Sequence, residues 1–275
     1  MTAALRTELR KLSSTRAWWI NALVMFGYML VMSAIMASSF VFGMRSAEQS
    51  GTADMSGLNG TVMDAHAIAT SVYTLAVSLG YIFPAVLGTL VVTTEFRHRT
   101  ITPTLLAEPR RTVVLAAKVV AVFPFAVAVA LAGTIGTVTG GAATLAALGE
   151  PTFLGEAAVW RTIVLSAVAL ILWAFVGVGF GSVLTNQVAA IVVLLVFTQF
   201  IEPLVRLLLA QFEATEMVSR FLPGAAGEAI AGSSLYASSG LAELLPAWQG
   251  ALVLVAYAVV LVALGRVTTF RRDIG

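Results

Sequence analysis

Residues 93–118 read TTEFRHRTITPTLLAEPRRTVVLAAK. The chain from Ala67 to Thr94 carries no charged side chain, and a second long apolar run begins at Val113. A compact group of one acid, two arginines and a histidine (Glu95, Arg97, His98, Arg99) therefore divides two greasy segments. Two such runs joined by a short charged hinge read as a pair of membrane-crossing helices.

The rest of the composition agrees. The 275 residues are 59% apolar and only 11% charged, with a mean hydropathy of +0.94, too few polar groups to cover a soluble domain of this length. Six stretches, 17–42, 68–93, 113–139, 162–182, 188–209 and 248–264, are long and apolar enough to cross about 30 Å of hydrocarbon at ~1.5 Å per residue. The runs are continuous rather than alternating, so helices are expected and a barrel is not. The expected fold is all-α, a polytopic membrane protein with a single transmembrane domain over 1–275. The first run follows a basic segment like a secretory signal does, but its length and the lack of a small-residue cleavage site read as a retained anchor. With no cysteine, disulfides, thiolate metal sites and cysteine nucleophiles are excluded.

Charge distribution suggests the orientation. Lysine and arginine bias short loops toward the cytoplasm, and six spans put both ends on one side. That side would receive Arg6, Arg10, Lys11, Arg16, Arg97, Arg99, Arg110, Arg111, Lys118, Arg266, Arg271 and Arg272, leaving Arg45, Arg161, Arg206 and Arg220 opposite. Twelve against four predicts cytoplasmic N- and C-termini in a cell inner (plasma) membrane. The acids run the other way: Glu8, Glu95, Glu108 and Asp273 fall inside and the remaining ten outside. The inner arginines are split among short segments with no folded domain to carry them, so anionic membrane lipid or a cytoplasmic protein is the expected partner, and nucleic acid is not.

Along the chain, residues 4–16 place Leu5, Leu9 and Leu12 on one helical face with Arg6, Arg10 and Lys11 largely off it. This predicts an interfacial helix over 1–16, followed by Trp18 and Trp19 as anchors. The 43–67 loop is polar and lies outside; Asn59–Gly60–Thr61 within it reads either as an Asn-Gly turn or as a glycosylation acceptor. Pro84 and Pro124 each remove a helical hydrogen bond and favour kinks in spans two and three. Gly136 with Gly140, and Gly177 with Gly181, are small-xxx-small pairs that permit close helix approach. The tight connection 184–187 predicts that spans four and five are antiparallel neighbours. Segment 202–247 is irregular and too polar to span, which suggests helices dipping back from the outer surface as a re-entrant element. Within it Glu202 and Arg206 lie one turn apart and form a candidate outer ion pair.

Catalytic chemistry has little to stand on. His66 and His98 belong to no HExxH pattern, no acid pair sits mid-span, and no cluster has metal spacing. The chain is not expected to be an enzyme by itself, nor to hold a metal or cofactor. Spans without a central Asp, Glu or His also lack the usual means of ion coupling, so the energy for any transport would come from outside this chain.

In the hinge, Glu95 ends a long helix at the negative pole of its dipole and needs a cation; Arg97, Arg99 and Lys118 are the candidates. Thr102 followed by Pro103 predicts an N-cap and first residue of a short helix that Pro109 helps to stop. Leu105 and Leu106 on so short an element look like a knob for another surface.

With these features the sequence resembles the membrane subunits of ABC transporters of the ABC-2 permease family. The residues that carry the resemblance are Glu95, Phe96, Arg97, Arg99, Thr100, Ile101, Leu105, Pro109, Arg110, Arg111 and Lys118, together with ELRKLSSTRAWW (8–19) ahead of span one and the six-span layout. The family often has a glycine near Thr100, which this chain lacks. The resemblance implies that 94–112 forms a cytoplasmic coupling helix docking on a separate ATP-binding cassette subunit, where ATP and Mg are bound. It implies two permease subunits, identical or paralogous, with spans one, two and five of each lining the path. The expected function is export of a hydrophobic or amphipathic small molecule, lipid or peptide by alternating access, with Tyr73, Tyr81, Phe83, Phe197, Gln199 and Phe200 as candidate path residues. The competing reading is a non-transport scaffold or sensor that binds a cytoplasmic partner through the same loop.

Overall fold

The computed structural model describes residues 2–50, 64–209, 217–233 and 244–270, with side chains described except at 47–50. All regular structure among them is helical, and six helical segments are long and apolar enough to cross a membrane: Ala17–Ser46, Ala65–Arg97, Arg111–Ala147, Ala157–Val183, Gln187–Leu209 and Ala247–Thr268. Each contains one of the six runs expected from sequence. Asn59–Thr61 and its turn lie outside the described residues.

Helix α1 (Thr2–Ser14) precedes α2 (Ala17–Ser50), the first span. Span two is composite, with α3 (Ala65–Tyr73), a π-helical segment Ala76–Gly80, and α4 (Ile82–Arg97). Asp64 starts it, its carboxylate accepting from the Ala67 amide at 2.6 Å. A short helix α5 (Ile101–Ala107) leads to α6 (Arg111–Ala147), and α7 (Ala157–Val183) follows. Span five is also composite: α8 (Gln187–Val196), a π-helical segment Phe197–Ile201, and α9 (Glu202–Leu209). Helices α10 (Pro223–Ala231) and α11 (Ala247–Thr268) complete the order.

Both π-helical segments lie just ahead of a proline, Pro84 or Pro203. A proline cannot donate to the carbonyl one turn before it, and widening the helix redistributes the bonds. At the second segment the Glu202 amide bonds back to the Phe197 carbonyl, so the next carbonyl, Thr198, would need a donor from Pro203. The Tyr81 hydroxyl, beside the first segment, supplies it at 2.7 Å. Pro124, by contrast, sits inside a continuous α6.

Span two is the most buried of the six and forms the axis of the bundle. The expected glycine pairs do bring helices into near backbone contact. A β-carbon at Gly136 or Gly140 would fall on the carbonyls of Phe26 or Leu30 in α2. One at Gly177 or Gly181 would fall on those of Ala85 or Thr89 in α4, and Thr89 Oγ1 donates to the Gly177 carbonyl at 3.1 Å. Span five does not follow the expectation of its short connection. Helix α8 packs mainly along α4 and touches α7 little, because the extended residues Leu184 and Asn186 carry the chain away from α7 before the Asn186 side chain caps α8.

Candidate functional site

The hinge and the N-terminal helix meet in a closed ring of four charges. The apolar stripe of α1 lays Leu5, Leu9 and Leu12 half-buried against the bundle, and Glu8 lies on the same stripe. Lys118 projects from the first turns of α6, and Glu95 from the end of α4. Lys118 Nζ is 2.8 Å from Glu8 Oε2 and 2.9 Å from Glu95 Oε2. The second is a close ionic contact rather than an aligned hydrogen bond. Lys11 Nζ is 2.9 Å from Glu8 Oε1 and 2.5 Å from Glu95 Oε1, closing the ring.

Glu8, Glu95 and Lys118 are only 4%, 5% and 0% exposed, so taking these charges out of water costs several kcal/mol each. Alternation of sign offsets it: each ammonium meets both carboxylates. Lys118 also donates to the Val91 carbonyl at 3.2 Å, and Lys11 to the Thr104 hydroxyl at 3.1 Å, which ties α5 into the ring. Burial alone would lower the proton affinity of Lys11. Its hydrogen bonds to Glu8 and Glu95, aided by their charges, outweigh that and hold it above the ordinary lysine value of 10.5.

The expected partners of Glu95 are thus partly corrected. Lys118 is one, while Lys11 takes the place proposed for Arg97 or Arg99. Arg97 instead donates to Gln187 Oε1 at the start of α8, at 3.3 Å. Arg99 is exposed and sits at φ 57°. It is the left-handed residue of a Schellman turn in which the Thr100 amide bonds the Glu95 carbonyl at 2.9 Å and the Arg99 amide bonds the Phe96 carbonyl at 3.3 Å. The Arg99 side chain is exposed, while Glu95, in the last turn of α4, is buried.

The start of α5 also differs from expectation. Thr100, not Thr102, is the N-cap, without a side-chain bond, and Pro103 lies within the first turn, where a missing amide proton is harmless. Ile101 is buried and Leu105 half-buried against the core, so the exposed knob is Leu106 alone, at 77%. Beyond it, Pro109 is exposed and Arg110 pairs with Glu108 at 2.9 Å, a hydrogen bond that lowers the Glu108 carboxyl below its usual range. Arg111 donates to the Phe270 carbonyl, placing the end of α11 beside the start of α6.

A second cluster lies toward the far end of span five. Arg206 Nη2 is 2.8 Å from Glu202 Oε1, as expected from sequence, and Arg206 Nη1 is 2.8 Å from Glu228 Oε2. Glu228 belongs to α10, every residue of which is buried. Pro223 at the start of α10 leaves the amides of Gly224 and Ala225 to donate to Glu202 Oε1 at 2.6 and 3.3 Å. Beside the cluster is a polar cavity of about 50 Å³ lined by Ser78, Tyr81, Gln199, Glu202 and Arg206. Ser78 Oγ, Gln199 Nε2 and Glu202 Oε2 have no hydrogen-bond partner among the described residues, a polarity and size suited to ordered water.

Of the six path candidates, only Tyr81 and Gln199 meet at this cavity. Tyr81 packs on Trp173 in a tilted arrangement with ring centroids 4.4 Å apart. Tyr73 is buried elsewhere, donating to the Thr152 carbonyl at 2.8 Å. Phe83 packs on Tyr28 at 5.5 Å, Phe197 is half-buried, and Phe200 faces outward. Glu8, Lys11 and Glu228 were missed by the sequence reading. Glu8 had a signal, an acid three residues after Leu5 and four before Leu12 on the apolar stripe; Glu228 had none, since its partner is distant in sequence.

Fold and site together define an all-α protein with six apolar helices of membrane-crossing length. Compared with protein-family models and with curated proteins, the sequence matches none.

Proposed function

We propose that this chain is the membrane subunit of an ATP-driven transporter of the ABC-2 permease type, with α5 receiving the push of a cytoplasmic ATP-binding subunit. The observation that carries the reading is the way α5 is mounted. It presents Leu106 outward while the Lys11, Glu8, Glu95 and Lys118 ring fastens the helices around it, α1, α4 and α6, to one another. A surface loop without a load has no need of buried ion pairs at its root. Displacement of α5 would move the end of α4, and α4 is the buried axis that continues through Tyr81 into the π-helical segment beside the outer cluster.

On this reading both termini are cytoplasmic, a second permease subunit completes the path, and a hydrophobic or amphipathic cargo leaves outward. Segment 202–247 returns into the bundle through α10 as a re-entrant element near the outer end. The burial of α10 along its whole length supports that placement.

The test is ATP turnover of the native complex with Leu106→Asp. Leu106 is exposed, so insertion and thermal stability are expected to stay unchanged while transport-linked ATP turnover and co-purification of the ATP-binding subunit are lost. Unchanged turnover would overturn the proposal.

A further inference from the structure

A groove of about 530 Å³ runs between α6, α7 and α11. Its walls are almost wholly apolar, formed by side chains such as Leu115, Val119, Phe175, Leu254, Val259 and Val262. Along α11 it extends from Leu254 to Arg266, roughly 18 Å at ~1.5 Å per residue. That is close to one leaflet, about half of the ~30 Å hydrocarbon core. At one end the walls change chemistry. Thr112 and Arg266 line both this groove and an adjoining polar depression of about 520 Å³ that also takes in Arg111, Val267 and Phe270. Arg266 is exposed and makes no hydrogen bond or ion pair among the described residues. Arg111, bonded to the Phe270 carbonyl, brings a second guanidinium to the same depression.

We propose that this groove is a binding site for an anionic glycerophospholipid, with one acyl chain along α11 and the phosphate on Arg266 and the Thr112 hydroxyl. An apolar slot one leaflet deep, closed by a cation and a hydroxyl, is complementary to a single-chain width of lipid with a negative head. A helix from a second copy fits poorly: ~18 Å of helix about 10 Å across occupies roughly 1400 Å³, well beyond the groove. The site lies on the α1 and α5 end of the bundle. The inference requires only that the six helices lie in a bilayer, so it stands or falls independently of the transport reading.

The experiment is native mass spectrometry of the full chain in mild detergent, titrated with dioleoyl phosphatidylglycerol or dioleoyl phosphatidylcholine. Phosphatidylglycerol is expected to be retained roughly fivefold more tightly per engaged arginine. Arg266→Gln, an exposed position, is expected to lower its retention about fivefold and to lower that of phosphatidylcholine, whose choline offsets its phosphate charge, by less. Val259→Trp, which fills the groove from an exposed position, is expected to weaken retention of both lipids. Equal retention of the two lipids by the unaltered protein, or no change with Arg266→Gln, would overturn the proposal. So would a Val259→Trp variant that alters oligomer mass with lipid retention intact, since a second copy would then be the occupant.

Discussion

The two buried charge clusters solve the same problem by different means. The ring at the root of α5 uses side chains from α1, α4 and α6, elements far apart in sequence, with two lysines meeting two glutamates and nothing but side chains on most bonds. The Arg206 cluster sets one guanidinium between two carboxylates and adds the backbone amides at the start of α10. Loss of one cation from the ring leaves facing acids. In the Arg206 cluster the backbone still holds Glu202.

The sharpest way to break that contrast is Lys118→Met. It leaves Glu8 and Glu95 buried with only the half-exposed Lys11, and a loss of about 3–5 kcal/mol is expected, read as a lowered thermal midpoint in detergent. Arg206→Met should cost less, near ~3 kcal/mol, because two amides remain on Glu202. If Arg206→Met proves the more damaging of the two, backbone donors are not what distinguishes the clusters. Arg99→Gly probes the turn that follows Glu95: relieving a left-handed non-glycine residue should raise stability by about 1 kcal/mol, and a decrease would mean the Arg99 side chain holds the hinge.

The smallest effect is expected at Lys11. Its exposure keeps the contribution to ~1 kcal/mol or less. The sign follows from a folded value raised above 10.5: the stabilisation is complete below 10.5 and is lost only as pH rises through the higher folded value. The midpoint difference between the unaltered protein and Lys11→Met should therefore stay constant from neutral pH to about 10 and close above it. A difference that closes near neutrality would assign the pH response to another group.

Much of the scaffold was legible because hydrocarbon burial leaves a one-dimensional record. Six apolar runs sufficed for six helices, and the small-residue pairs at 136/140 and 177/181 marked two close crossings. The Glu202 and Arg206 pair was legible because i,i+4 spacing on a helix is local geometry. Less of the hinge could be read. Glu95 visibly needed a cation, and Lys118 was among the three candidates with Arg97 and Arg99, but Lys11, which lies 84 residues away in the chain, was not. The exposed knob was narrowed to Leu106, since whether Leu105 packs inward depends on how α5 lies across α4 and α6. The neighbour of span five was misread because a short connection limits distance, not direction.

The sequence by itself determined an all-helical chain of six apolar spans with a charged hinge between the second and third, because hydrophobic length and helical period are properties of consecutive residues. Only the tertiary structure decided which charges meet. The stability of a buried ion depends on the few ångströms around it, and those are supplied by helices whose order in space is not their order in the chain.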